Sequence, residues 1–104
     1  MSEPRGVSSS LIMGTVPWKT FRRTPVTITT TATPIPTAVL TDRIGLWIFN
    51  VGTTNCFLGP SDVGSSNEPT LYAAQDRLIP MTDQITLYGR TASGTATLVV
   101  WEFA

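Results

Sequence analysis

Histidine is absent from this sequence, and cysteine occurs once. Without histidine a Ser–His–Asp or Cys–His arrangement cannot form, and the commonest metal ligand and near-neutral pH switch are missing. The single cysteine, Cys56, cannot make an internal disulfide, and a metal site would want several Cys or His ligands. Flanked by Asn55 and Phe57 in a strand-like stretch, it reads as a small core residue. Charge is scarce too. Only 13% of the 104 residues are charged, seven basic and seven acidic, for a net charge of zero; an average soluble domain carries roughly 25%. So few charges solvate an extended free surface poorly, which favours a protein partly covered by partners. No apolar run approaches the roughly 18 residues of a membrane span. The opening Met1-Ser2-Glu3-Pro4-Arg5-Gly6 lacks the basic and apolar regions of a signal peptide. The expectation is a protein made in a cytoplasm, outside any secretion route and without a membrane partner.

The carboxylates offer little chemistry. Asp42, Asp62, Asp76 and Asp83 all stand near turn signals, where aspartate is common for its backbone hydrogen bonds; a glycosidase-like pair is the weaker reading. Residues 62–68 lack the alternating oxygen ligands of a calcium loop. Gly52-Thr53-Thr54-Asn55 is not followed by the Gly-Lys-Ser/Thr of a phosphate loop. The expectation is no enzyme, no cofactor, no metal and no small-molecule substrate.

What is present divides into an arm, residues 1–24, and a compact β body, residues 25–104. The arm is rich in Ser, Gly and Pro and shows neither helical nor strand periodicity. It nevertheless carries Leu11, Ile12, Met13, Val16, Trp18 and Phe21, which a merely solvated tail seldom does. Leu11, Ile12, Met13, Trp18, Lys19, Phe21, Arg22 and Arg23 are therefore the candidate partner-binding residues, docking on a neighbour or on the body itself. The arm holds Arg5, Lys19, Arg22 and Arg23 against Glu3, four to one. The body holds Arg43, Arg77 and Arg90 against Asp42, Asp62, Glu68, Asp76, Asp83 and Glu102, three to six. A basic arm and an acidic body suit head-to-tail contacts between copies or docking on an acidic surface. Basic residues interleaved with Trp18 and Phe21 can also serve single-stranded nucleic acid. An acidic body without a broad basic patch argues against that partner.

The body reads as short strands. Val26-Thr27-Ile28-Thr29 alternates apolar and hydroxyl residues, as a half-buried strand does. Pro34 and Pro36 predict a sheet edge or a bend. Residues 44–51 are apolar on both parities, which predicts a strand covered on both faces. The turn at 52–55 followed by Cys56-Phe57-Leu58 predicts a hairpin. Residues 59–62 and 64–67 predict turns. Further strands are predicted near 70–74, at 77–79, at 84–88 (with Ile85 and Leu87 facing one way) and, after Ser93-Gly94, at 95–103, again with both faces covered. Trp47 and Trp101, in the two most apolar strands, are expected in the core; a sugar-stacking platform is the alternative. Six to eight short strands without a helical period indicate an all-β sandwich, jelly roll or small barrel. A body of about 80 residues without disulfides or metal is expected to gain stability by oligomerising.

The body also resembles small β-structured proteins found among phage virion genes. The stretches that carry the resemblance are Val26-Thr27-Ile28-Thr29-Thr30-Thr31-Ala32-Thr33-Pro34-Ile35-Pro36, Ile48-Phe49-Asn50-Val51-Gly52-Thr53, Phe57-Leu58-Gly59-Pro60-Ser61-Asp62-Val63, Leu87-Tyr88-Gly89 and Gly94-Thr95-Ala96. Such proteins look like capsid decoration (cement) proteins, or sometimes tail and fibre components. The resemblance implies a β body on the capsid exterior, bound to major capsid protein subunits, often as a homotrimer. Its arm would lace across neighbouring subunits and hold them against internal DNA pressure. A tail, head-fibre or adaptor component and a carbohydrate- or receptor-binding module are the alternatives.

Overall fold

The computed structural model describes residues 19–64 and 68–104. Eight strands run through them: β1 (Phe21–Ile28), β2 (Thr33–Ile35), β3 (Gly45–Asn50), β4 (Cys56–Gly59), β5 (Thr70–Leu71), β6 (Asp76–Pro80), β7 (Leu87–Arg90) and β8 (Ala96–Phe103). They form two antiparallel four-stranded sheets, ordered β1-β8-β3-β6 and β2-β7-β4-β5. The chain is all-β, a small β-sandwich. Between the sheets lie Val26, Ile28, Leu46, Ile48, Ala96, Leu98 and Val100 from the β1 sheet, and Ile35, Cys56, Leu58, Leu71 and Leu87 from the β2 sheet. These are the residues of one strand parity, as the twofold period of a strand requires.

The expected strand at 26–29 is the second half of β1. The first half reaches back to Phe21, so Phe21, Arg22, Arg23 and Thr24 belong to the sandwich and not to an arm ending at 24. Residues 1–18, with Leu11, Ile12, Met13 and Trp18, lie outside the described residues.

The expected hairpin at 44–58 is not one. β3 and β4 stand in different sheets, and the turn between them carries the chain across the sandwich. Asn50 holds the crossing: its buried Nδ2 donates to the carbonyls of Thr54 (2.8 Å) and Leu71 (3.2 Å), and its Oδ1 accepts from Gly52 N–H (3.2 Å). A buried amide must find such partners, and here they lie on the segments that switch sheets. The strand expected at 84–88, with Ile85 and Leu87 facing one way, is also displaced. β7 begins at Leu87, and Ile85 is exposed in the preceding turn. The Ser93-Gly94 turn is present, with Gly94 at φ 69°, a conformation glycine adopts without strain.

Prolines mark the edges. Pro34 sits in β2, an outermost strand, as expected. Pro25 and Pro80 lie in β1 and β6, the two edges of the other sheet. Thr20 and Ala104 exchange backbone hydrogen bonds (2.8 and 2.9 Å). Alternation along the ladder then makes Pro25 and its partner Val99 a non-bonded pair. Met81 N–H donates to Ile44 C=O (3.2 Å), which by the same alternation places Pro80 opposite Gly45 in a non-bonded pair. At both positions an N–H would point out of the sheet, and proline removes it. Strand addition by another chain is blunted on both sides.

Candidate binding face

The register of the β1 sheet sets its outward-facing side chains in rows. Phe21, Phe103, Gly45 and Pro80 make one row; Arg23, Trp101, Trp47 and Leu78 the next; Pro25, Val99, Phe49 and Asp76 a third. Five aromatics thus converge on one face. Phe21 and Trp101 meet edge to face (4.8 Å, 87°), Phe21 leans on Phe103 (5.5 Å), Trp47 on Phe49 (5.0 Å), and Phe49 on Trp101 (5.7 Å). Trp47 and Trp101 are nearly perpendicular (6.3 Å, 74°). Such cross-strand aromatic pairs stabilise a sheet directly. Trp47 Nε1–H donates to Asp76 Oδ2 (2.7 Å), which fixes the indole and satisfies its one donor.

Trp47, Phe49, Val99 and Trp101 are half-buried, Phe21 is 44% exposed and Val51, next outward along β3, is 59% exposed. The two faces of β3 and β8 therefore differ. Leu46, Ile48, Leu98 and Val100 enter the core, whereas the tryptophans expected in the core lie on the outside of the sheet. They reach half-burial by leaning on each other. A signal for this was present: on both strands the apolar residues of one parity are all aliphatic (Leu46 and Ile48; Leu98 and Val100), and every aromatic lies on the other.

The candidate arm residues part company. Lys19 is exposed, and its backbone N–H is held by Ala104 C=O (2.6 Å). Phe21 and Arg23 belong to the aromatic face, Arg23 exposed beside Trp101 in the register. Arg22 points inward and is committed to Glu102, so it is no free cation of an arm. Glu102 is fully buried and accepts four hydrogen bonds: from Arg22 Nη2 (2.5 Å) and Nε (3.2 Å), Arg43 Nη1 (3.1 Å) and Leu40 N–H (3.0 Å). Arg43, also buried, donates through Nη2 to the carbonyls of Thr82 (3.0 Å) and Ile85 (2.7 Å), and Arg22 Nη2 also reaches Ala38 C=O. This group ties the 36–44 connection and the 82–85 turn to β8. Every hydrogen bond it makes is internal, with Arg43 Nε left buried and unpartnered, and its role is architectural.

Two further features take no part in the face. Cys56 is a buried free thiol whose pKa is pushed up to about 11 by loss of water, opposed by the backbone N–H of Arg90; a neutral thiol of this kind is inert. A cleft of about 370 Å³ opens between the β1 and β2 edges, lined largely by Thr24, Thr27, Thr33 and Thr37, with Arg22 at its wall. Among the described residues no three His, Cys, Asp or Glu side chains gather as a metal site would require.

No protein-family model matches this chain, and no curated protein or solved structure matches it.

Proposed function

We propose that this protein is a structural component of a phage particle, a decoration protein on the capsid exterior that binds major capsid protein subunits and stabilises their lattice. The observation that carries the reading is the aromatic outer face of the β1 sheet, centred on Trp47, Phe49 and Trp101. Large aromatics with an apolar body and one satisfied donor are the side chains that dominate protein–protein contacts. The scarcity of charge, 13% of residues, suits a surface made to be covered. Edge prolines turn association away from strand pairing and toward the face.

Size limits what the face does alone. Four strands about 4.8 Å apart and five residues rising about 3.3 Å each span on the order of 300 Å². A standard interface takes about 800 Å² from each partner. Firm retention then rests on several footprints engaged at once, which a homotrimer on a repeating lattice supplies.

The test is co-sedimentation of the purified protein with undecorated, expanded capsids of its own phage. Saturation at a fixed ratio per capsid subunit, weakened by Trp101→Ala, is the expected result. No binding removes the capsid as partner and moves the reading to a tail, head-fibre or adaptor component, present in few copies per particle.

The outward position of Trp47 and Trp101 gives the carbohydrate-binding alternative an observation of its own. Against it, the two rings stand 74° apart and offer no shared plane on which a sugar stacks. A glycan panel read by tryptophan fluorescence decides it: a saturable change that is lost in Trp47→Ala would establish the sugar site.

A further inference from the structure

We infer that the cleft between the β1 and β2 edges binds a sugar acid, with its carboxylate on Arg22 and its hydroxyls on the threonines of the walls. The inference goes beyond the particle reading. Of the cleft's residues only Pro25 stands in the rows of the aromatic face, so the two readings fail separately.

The first argument is shape. β1 and β2 are outermost strands of opposite sheets, joined by the turn at 29–32. The sandwich is open between them. Arg22 Nη2 donates to Ala38 C=O, which ties the chain beyond β2 back to β1 and fixes the wall there. The cleft measures about 370 Å³. Ligand sites run from about 300 to 1,000 Å³, and the lower end of that range has room for one sugar ring.

The second argument is charge. Two guanidinium groups share the one carboxylate of Glu102, and the group is short of acceptors. Arg43 Nε is buried without a partner. Arg22, which lines the cleft with its side chain 37% exposed, spends Nε and Nη2 on Glu102 and Ala38. Its Nη1 makes no hydrogen bond to a described residue. Asp83 acts on Arg43 from an exposed turn, and no carboxylate lines the cleft. An unspent guanidinium nitrogen in a concave wall favours an anionic acceptor. The excess is one charge, which a carboxylate matches; a phosphate monoester, at about −1.5 to −2, exceeds it.

The third argument is the lining. The hydroxyls of Thr24, Thr27 and Thr37 make no hydrogen bond to a described residue. Thr33 Oγ1 donates to Thr31 C=O (2.9 Å) and keeps its lone pairs for the cleft. A bare inorganic anion asks only for donors. A threonine hydroxyl both donates and accepts, and a sugar hydroxyl does the same, so the two kinds of group pair in either direction. Val26, Pro25 and Ala38 complete the walls and offer apolar surface to the C–H groups of a ring.

NMR titration of the isotope-labelled full-length chain with sodium glucuronate and, in parallel, sodium galacturonate tests this, with ionic strength held constant by sodium chloride. For at least one of the two, the Arg22 Nε–H and the amides of Thr24, Thr27 and Ala38 should shift together and saturate, while the indole N–H signals of Trp47 and Trp101 stay in place. The neutral parent sugar lacks the carboxylate and acetate lacks the ring. Each should bind at least about tenfold more weakly, the effect of losing one charge-assisted hydrogen bond or a few neutral ones. Thr24→Val and Thr37→Val remove a hydroxyl and keep the branched side chain, and each should weaken the uronate several-fold. Thr37 is exposed, so its variant folds even where Thr24→Val does not. The inference is overturned if no cleft signal saturates with either uronate, if the neutral sugar or acetate binds as well, if inorganic phosphate binds more tightly, or if both variants keep full affinity. Shifts confined to the tryptophans also overturn it and move the sugar to the aromatic face. Failure of capsid binding with the uronate still held in the cleft would refute the particle reading and leave this inference standing.

Discussion

Replacing Glu102 by Gln keeps the shape of the side chain and removes the one negative charge between two guanidinium groups. Arg43 has no solvent-exposed side-chain surface, and Arg22 is 37% exposed. In the variant Arg43 keeps its two carbonyl partners, at Thr82 and Ile85, but loses its counter-charge inside the sandwich. The new amide presents one acceptor and one donor to a site where four N–H groups converge, so at least one donor faces another. Breaking a buried ion pair from one side costs about 3–5 kcal/mol. A folded body of this size has on the order of 5–10 kcal/mol in total, so the substitution should remove close to half of it. The melting temperature should fall by roughly 12–40 °C, at about 4–8 °C per kcal/mol for a domain of this length. Urea unfolding followed by far-ultraviolet circular dichroism is the assay. The midpoint should drop with an unchanged slope, and the exposed substitution Asp62→Asn should move it by less than about 0.5 kcal/mol. A loss below about 1 kcal/mol for Glu102→Gln would refute the reasoning. The carboxylate would then be solvated in the native state, and the 36–44 connection would be held by something else.

Four further outcomes are expected. Asn50→Ala abandons the Thr54 and Leu71 carbonyls and the Gly52 N–H. It should cost about 2–4 kcal/mol in chemical denaturation, as buried polar groups left unpaired do. Gly89→Ala places a Cβ 2.8 Å from Ile35 Cδ1 and 2.9 Å from Cys56 Sγ; the overpacked core should lose about 1–3 kcal/mol, read as a lower melting temperature. Cys56, with its thiol held at about 11, should resist a thiol-reactive dye in native protein at pH 8 and react fully in denaturant. Asp83 is solvent-exposed and has its pKa lowered from the ordinary 3.8, first by the Asp42 backbone N–H and then by Gln84. A depressed folded value contributes stability that is complete above the unfolded value and lost as pH falls through the folded one. Asp83→Asn should therefore flatten the part of the stability–pH curve that lies below about pH 4, with the carboxyl titration followed by NMR.

Strand positions were largely legible, because alternation of apolar and polar residues is a local property of a strand buried on one side. β1 shows where that signal fails. Its first half reads Phe21-Arg22-Arg23-Thr24-Pro25, and its inward positions are Arg22 and Thr24. At this end the space between the sheets is closed by an ion group around Glu102 instead of aliphatic side chains. With no apolar residue pointing inward, a strand looks like a tail, and Phe21 and Arg23 looked like residues of an arm. The tryptophans failed differently. Residues 44–51 and 95–103 are apolar on both parities, and parity alone does not say which side meets the second sheet. The difference between aliphatic and aromatic parity held the answer.

By itself the sequence determined the class: short β strands, an edge or bend marked by Pro34 and Pro36, no histidine, one cysteine and very little charge. These follow from side-chain period, from proline's missing N–H and from side-chain chemistry, none of which needs a distant partner. Only the tertiary structure decided that β3 and β4 part into different sheets, that Arg22 and Arg43 share one buried carboxylate, and that the aromatic rows turn outward. Each of those depends on residues tens of positions apart meeting across a sandwich. Glu102 lies 80 positions from Arg22 and 59 from Arg43, and no local pattern encodes contacts at that separation.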